Sequence, residues 1–253
     1  MKYYSDLLTM GCFTREKLTE LTGNYNTAGT LIKNYLKKGY IQKVRCNLYV
    51  AVNLADNEPV VNKFHIAGKI TKTSYISHHA AFEYYGCANQ VSYEVEVSSE
   101  TAFAPFNFNN ITYVYLSSRI KDGVLVRPDG IRITDIERTV LDGIHDFEKI
   151  MGLEELLRCV ALLPSVKEDK LIQYLAVYDK QVLYQKTGYI LRHFQKEFNL
   201  SESFFYECAA HTGKSTRYLT SIKNAVYNKE WQLMTPENLM NLTAKGADID
   251  ADL

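Results

Sequence analysis

Thr27, Thr30, Asn34 and Lys37 recur at spacings of three, four and three, with Asn26 and Lys33 at the edges of the same stripe and Lys38 just beyond it. On an α-helix that spacing gathers amide, hydroxyl and ammonium groups on one face. Amides and hydroxyls can exchange hydrogen bonds with base edges in the DNA major groove, while lysines neutralise phosphates. A second polar and basic group follows in YIQKVRCNLYV, where Lys43, Arg45 and Asn47 surround a turn. The chemistry on offer is recognition of a polyanion, with the helix reading bases and the turn lying against neighbouring backbone or minor groove. The alternative is a solvated helix face; the basic hairpin that follows the helix shifts the balance to DNA.

Bond-making chemistry has weaker candidates. His78 and His79 precede Glu83, but adjacent side chains diverge by about 100° on a helix, and His79 with Glu83 has the spacing of an ordinary surface pair. Glu94 and Glu96 share one strand face without the aspartate and trailing lysine of a nuclease metal site. Arg138 and Asp142 read as an i,i+4 pair that orders a helix surface. Glycine-rich phosphate loops and nucleophile elbows are absent. The five cysteines are scattered and never form a C-x-x-C pair, which predicts free, reduced thiols and no zinc site. The expectation is a protein with no catalytic residue, metal or cofactor; a metal-dependent nuclease using these histidines and glutamates is the remotest rival.

A third group lies in QVLYQKTGYILRHFQKEF. Leu183, Thr187, Ile190, Leu191, Phe194 and Phe198 form its apolar side, and Lys186, Tyr189, Arg192, His193 and Lys196 the other. Lys214, Arg217, Lys223 and Lys229 follow. This is either a solvated face or a second basic surface for a polyanion or partner. Gly188 costs a helix roughly 1 kcal/mol relative to alanine, so it marks close packing or the approach of a partner.

The elements that must position these groups follow from periodicity. Residues 2–9 read as a helix. CFTREKLTELTG starts a second at Thr14 and ends it at Gly23, and Ala28, Leu31, Ile32, Tyr35 and Leu36 give a third its apolar stripe before Gly39. YIQKV and LYVAV then read as a hairpin. Helix, helix, basic hairpin is the order of a winged helix-turn-helix. A polar break at 51–58 places a boundary near residue 55. Beyond it, PVVNKFHIAGKI reads as a helix, TSYISHHAAFEYYG as a short strand and a helix capped by Ser77, and residues 91–99 and 110–118 as strands, with another pair around Pro128-Asp129-Gly130. Thr134 and Glu137 fit a capping box, with Ile133, Ile136, Val140 and Ile144 as the buried stripe behind it. From there helices dominate, ending in PENLMNLTAKG and a frayed GADIDADL tail. The expected class is α+β: a winged helix-turn-helix domain at 1–55, then a domain at 56–253 with a mixed sheet to about 133 and mainly helices after.

Composition agrees with a globular chain. It is 46% hydrophobic and 23% charged, with too few Gly and Pro for a disordered or collagen-like protein. The net charge of zero conceals segments of about +5 (1–50), −6 (51–179), +4 (180–231) and −3 (232–253), an asymmetry that points to a polyanion partner for part of the chain. MKYYSDLLTM lacks the apolar run of a signal peptide, and no stretch approaches the roughly 18 apolar residues of a membrane span, so a cytoplasmic protein with no membrane partner is expected.

The order of these pieces resembles a known family. A basic winged helix ending in NLYVAV, then YISHHAAFEYYG, then PDGIRITDIERTVLD, then KTGYILRHF, is similar to the AbiEi family of antitoxins over nearly the whole chain. The resemblance implies one half of a bacterial type IV toxin-antitoxin system of abortive infection, or phage defence. In that family the winged helix binds inverted repeats upstream of its own operon and represses it. The remainder opposes a nucleotidyltransferase-like toxin without forming a stable complex, and no enzymatic activity is implied. The hairpin departs from the family's common Arg-Gly-Val-Tyr, having Arg45-Cys46-Asn47-Leu48-Tyr49. A protein monomeric in solution with two copies on a symmetric operator fits this reading. The rival is a winged-helix transcription factor that answers to a small ligand.

Overall fold

The structure is a computed structural model in which residues 2–221 and 225–244 are described. Lys223 and the GADIDADL tail lie outside the described residues. In chain order the first elements are α1 (Tyr4–Met10), β1 (Cys12–Phe13), α2 (Arg15–Thr22), α3 (Tyr25–Lys37), β2 (Ile41–Arg45) and β3 (Leu48–Ala51). There follow α4 (Lys63–Ala67), β4 (Tyr75–Ile76), α5 (His78–Tyr84), β5 (Glu94–Ser99), β6 (Phe106–Phe108), β7 (Ile111–Ser117), β8 (Val124–Val126) and β9 (Arg132–Thr134). The rest comprises α6 (Ile136–Ile150), α7 (Gly152–Ala161), α8 (Glu168–Tyr178), α9 (Gln181–Arg192), α10 (Gln195–Phe198), α11 (Glu202–Ala210), β10 (Arg217–Tyr218), β11 (Val226–Asn228), β12 (Leu233–Thr235) and α12 (Asn241–Ala244). The class is α+β. No helix among the described residues is long and apolar enough to cross a membrane.

The chain forms two compact units. The first holds Met1–Ile76, Tyr93–Ser118 and Val126–Ile133; the second holds Ser77–Ser92, Arg119–Leu125 and Thr134–Leu253. At the start of the first unit, β3 lies between β1 and β2 in an antiparallel sheet, with Cys12 opposite Val50 and Ile41 opposite Ala51. Helix α2 begins where the Thr14 hydroxyl accepts from the Lys17 N–H, and α3 begins where the Asn24 side-chain oxygen accepts from the N–H groups of Asn26 and Thr27. These are the donors that a helix start leaves without a partner. Gly23 and Gly39 end the two helices with φ of 69° and 72°, the left-handed region that glycine enters without strain. Leu7, Phe13, Leu18, Ala28, Ile32, Tyr35, Ile41 and Ala51 form the core of this region, with Leu31 and Leu36 packed at its margin. Burial of an Ile or Leu stabilises by roughly 1.5–3 kcal/mol. That burial decides which face of α3 turns inward, and therefore which turns out.

The larger sheet has the order β6-β7-β5-β4-β9-β8 and is mixed, with β5–β7 and β4–β9 parallel and β6–β7 and β4–β5 antiparallel. Several sequence expectations need correction. The helix expected over 59–70 shrinks to α4, which Asn62 caps through the N–H groups of Phe64 and His65. Strand β6 was not expected. Helix α6 is capped by Asp135, whose carboxylate accepts from the Arg138 N–H at 2.9 Å, and not by Thr134. Thr134 belongs to β9, and its hydroxyl meets that of Thr139 at 2.8 Å. Glu137, expected to close the capping box, accepts instead from the Lys167 N–H at 2.9 Å.

In the second unit α6, α7, α8, α9 and α11 share one core, which includes Val140, Ile144, Leu156, Leu175, Leu191 and Phe205. Gly188 faces the indole of Trp231, where any side chain would collide with the ring. The glycine of α9 therefore serves internal packing. The Arg138–Asp142 pair is not on a helix surface: each side chain is 1% exposed and the Nε–Oδ1 distance is 2.9 Å. The guanidinium also donates to the carbonyls of Ile120 and Asp122 at 3.1 and 2.8 Å, and the Tyr178 hydroxyl donates to Asp142. Periodicity identifies the pair but cannot reveal the distant carbonyls that draw it inside.

Candidate nucleic-acid interface

With Ala28, Ile32 and Tyr35 buried, α3 turns Asn26, Thr27, Thr30, Lys33, Asn34 and Lys37 to solvent, and all six are exposed. Their side chains make no hydrogen bond or ion pair among the described residues. Lys38 is exposed as well, its ammonium 6.0 Å from the centroid of Tyr40. The face is thus rich in donors and positive, and its groups are free to act on a partner.

One residue that holds this face was not singled out from the sequence. The Arg15 guanidinium, at the start of α2, lies 3.5 Å from the centroid of the Tyr25 ring and donates to the Tyr25 carbonyl at 3.0 Å. It passes over Gly29 so closely that a Cβ there would meet its Nη2 at 2.5 Å. Arg15 thereby ties the beginning of α2 to the beginning of α3, combining a cation–π contact with a charge-assisted hydrogen bond. An arginine at a helix start and a glycine inside the following helix are its only sequence signal.

The hairpin departs from expectation in two of its three residues. Lys43 is exposed on β2, as a phosphate contact requires. Arg45 is half-buried, with its guanidinium 5.4 Å from the Phe103 ring and 5.2 Å from the Phe106 ring. Asn47 adopts φ 57°, a region in which asparagine is tolerated, and so closes the turn without a glycine. Its Oδ1 accepts from the Arg15 N–H at 3.1 Å, and its Nδ2 donates to both Glu16 oxygens at 3.0 and 2.8 Å. That amide, ahead of the Glu16 and Thr14 contacts, lowers the Glu16 pKa. Arg45 and Asn47 are therefore braces, while Lys43 and Cys46 are the exposed residues of the turn.

The second basic group disperses. Tyr189 is buried, and burial raises its pKa. Lys186 is half-buried with its ammonium 4.7 Å from the Phe147 ring, and desolvation lowers its pKa. Arg192 lies 3.9 Å over Phe205 and is paired with Glu202 and Glu230 at 2.9 and 3.1 Å. His193 is exposed at the end of α9, its pKa lowered by partial desolvation. Among the described members of the group, Lys196, Lys214, Arg217 and Lys229 are exposed cations without a carboxylate partner. The continuous stripe expected along residues 181–198 does not form, because the helix breaks at His193-Phe194 and its tyrosine turns inward.

The histidines are buried and serve different carboxylates, so the surface pair expected for His79 is also corrected. His78, at φ 55°, has Nε2 3.5 Å from Asp146, while His79 Nε2 lies 3.2 Å from Glu155. Asp146 is 4% exposed, with Arg119 at 2.9 Å, Lys149 at 3.0 Å and His145 at 3.1 Å. Burial alone would raise its pKa, but hydrogen bonds from His145, His78 and Lys149 hold it well below the usual carboxylate range. His79, Glu155 and Cys159 bring three ligand-type atoms within 4.8 Å of one another. The Glu155 oxygen already accepts from the Asn89 and Gln90 N–H groups and the Cys159 thiol at 3.1, 3.3 and 3.5 Å. Burial pushes the Cys159 thiol up, away from the thiolate that a metal needs. The trio is satisfied internally. In the first unit, Glu96 is buried on β5 while Glu94, two residues before it, is exposed.

No family model matches the chain, and no curated protein matches it. The chain is similar in fold to the crystal structure of the RV2827C protein from Mycobacterium tuberculosis, with a TM-score of 0.63 over 97% of this chain and 94% of that one, at 12% sequence identity. At that identity the likeness is one of fold alone.

Proposed function

We propose that the protein is a DNA-binding autorepressor of the AbiEi antitoxin type, in which residues 1–55 form a winged helix-turn-helix that docks α3 in the major groove. The observation that carries this reading is the outward face of α3: six exposed polar or basic side chains, none engaged by another side chain among the described residues, on a helix held by Arg15 against its neighbour. The arrangement of α1, β1, α2, α3 and the β2–β3 hairpin around a single small core supports it. Thr27, Thr30 and Asn34 would meet base edges; Asn26, Lys33, Lys37, Lys38 and Lys43 would meet the backbone or the groove rim. Arg45 and Asn47 act indirectly, by holding the hairpin that presents Lys43. The remainder of the chain would oppose a nucleotidyltransferase-like toxin in the cytoplasm without a stable complex, in keeping with the family resemblance.

A gel shift on the region upstream of the operon tests the DNA half. Lys37→Ala should weaken binding on every sequence and reduce the salt slope by about one, whereas Asn34→Ala should relax specificity at one base pair. Absence of salt-dependent binding removes the proposal. Co-expression with the adjacent reading frame tests the antitoxin half, which fails if that neighbour is harmless.

A further inference from the structure

The small sheet of the second unit has an unusual outer face. Its order is β10-β12-β11, and Met234 on the middle strand is in register with Tyr218 on one side and Tyr227 on the other. Residues in register across a sheet point to the same face. Leu233 and Thr235, which flank Met234, are buried, so the row Tyr218–Met234–Tyr227 faces away from the core. The two tyrosines are 62% and 49% exposed. Two strand spacings separate their backbones by about 10 Å.

Two exposed cations border this row. Lys229 follows β11, and Lys214 lies at the same end of the sheet, where the Gln232 amide, oriented to donate, reaches its carbonyl at 3.2 Å. Neither has a carboxylate partner among the described residues, in contrast to Arg192, which has two. Arg217, in register with the buried Leu233, belongs to the opposite face. A flat aromatic row with unpaired positive charge at its rim suits a ligand that offers both π-faces and phosphates. Duplexes keep their base faces stacked inside. Unpaired bases, found chiefly in RNA loops and ends, present them to aromatic side chains.

We propose that the outer face of the β10-β12-β11 sheet is a docking surface for single-stranded RNA. Tyr218 and Tyr227 stack on bases, Met234 fills the floor between them, and Lys214 and Lys229 meet phosphates. The proposal is independent of the DNA reading, because every residue it uses belongs to the second compact unit.

The test is fluorescence anisotropy of a labelled mixed-sequence RNA of about 12 nucleotides, within the site size of such surfaces, against the full-length protein at low salt. A labelled operator duplex is measured in parallel. The pair Tyr218→Ala, Tyr227→Ala should weaken RNA binding about tenfold or more, the size expected for loss of a stacked base. The pair Tyr218→Phe, Tyr227→Phe retains the π-faces and should bind within about threefold of wild type, and Lys229→Ala should lower the salt slope. Neither tyrosine pair should change duplex binding, whereas Lys37→Ala should weaken duplex binding and spare the RNA. The idea is overturned if wild type shows no salt-dependent RNA binding, or if the alanine pair binds RNA as wild type does. It is equally overturned if a DNA strand of the same sequence binds more tightly, or if the tyrosines prove to be buried against a protein partner. Both tyrosines are exposed, so the alanine pair should fold; unchanged emission of the single tryptophan, Trp231, checks this.

Discussion

Asn47 separates two accounts of the hairpin, since a residue that reads DNA and a residue that braces the turn fail differently when replaced. Removing its side chain deletes one hydrogen bond from the Arg15 N–H and the amide's pair of contacts to the Glu16 carboxylate. Bonds of this kind contribute about 0.5–1.5 kcal/mol each, the solvent-exposed carboxylate contact toward the bottom of that range. Alanine must also occupy φ 57°, where residues without a local polar side chain lose about 1–2 kcal/mol. Asn47→Ala should therefore cost about 2–4 kcal/mol, and Asn47→Gly, which avoids the backbone penalty, about 1 kcal/mol less. Urea unfolding measures the difference. NMR titration supplies a second readout: the Glu16 pKa, lowered chiefly by the Asn47 amide, should return toward its ordinary value in both variants. DNA affinity should fall by a similar factor on all sequences, and less for glycine than for alanine. Equal stability of wild type, alanine and glycine forms, joined to a loss of preference at one base pair, would refute the brace and restore direct readout.

Two further outcomes follow from buried charge. Arg138→Met should cost about 3–5 kcal/mol, near the upper end because both partners are 1% exposed and Asp142 would be left charged without its ion-pair partner; adding Asp142→Leu should recover part of the loss in thermal unfolding, and no recovery would contradict this account. Asp146 has a folded-state pKa depressed below that of the unfolded chain, so its stabilising contribution is complete above about pH 4–5 and lost as pH falls through the unfolded value of about 3.9 toward the folded one. Asp146→Asn should be less stable at pH 7 and lose less stability between about pH 5 and 3 than wild type; parallel curves would contradict the assignment.

What could be read in the sequence was whatever depends on local period. The outward stripe of α3 follows from helical spacing, and the helix starts at Thr14 and stops at Gly23 and Gly39 from capping chemistry. The braces could not be read, because their partners are distant. Arg45 meets rings at Phe103 and Phe106, and Asn47 meets the start of α2 more than 30 residues earlier. Arg138 illustrates the same limit: i,i+4 spacing gives the pair but not the Ile120 and Asp122 carbonyls that make it a buried one. Strands β10 to β12 are two or three residues long, too short for alternation to register, and their pairing fixes the exposed tyrosines only once the strands are aligned.

The braces also change how the proposed DNA surface would work. A flexible basic hairpin would have to be ordered on binding, at about 0.5–1.5 kcal/mol for each long side chain immobilised. Here the hairpin is ordered in advance: Arg45 is spent on aromatic rings, Asn47 on Glu16 and Arg15, and Arg15 on Tyr25. The cations left for phosphate are then Lys2, Lys33, Lys37, Lys38 and Lys43, fewer than the basic count of the first fifty residues suggests. A surface with few free charges gains little from non-specific attraction and depends more on the fit of Thr27, Thr30 and Asn34 to particular bases. On the proposed DNA reading, such a preorganised face would supply discrimination between sequences more than raw affinity.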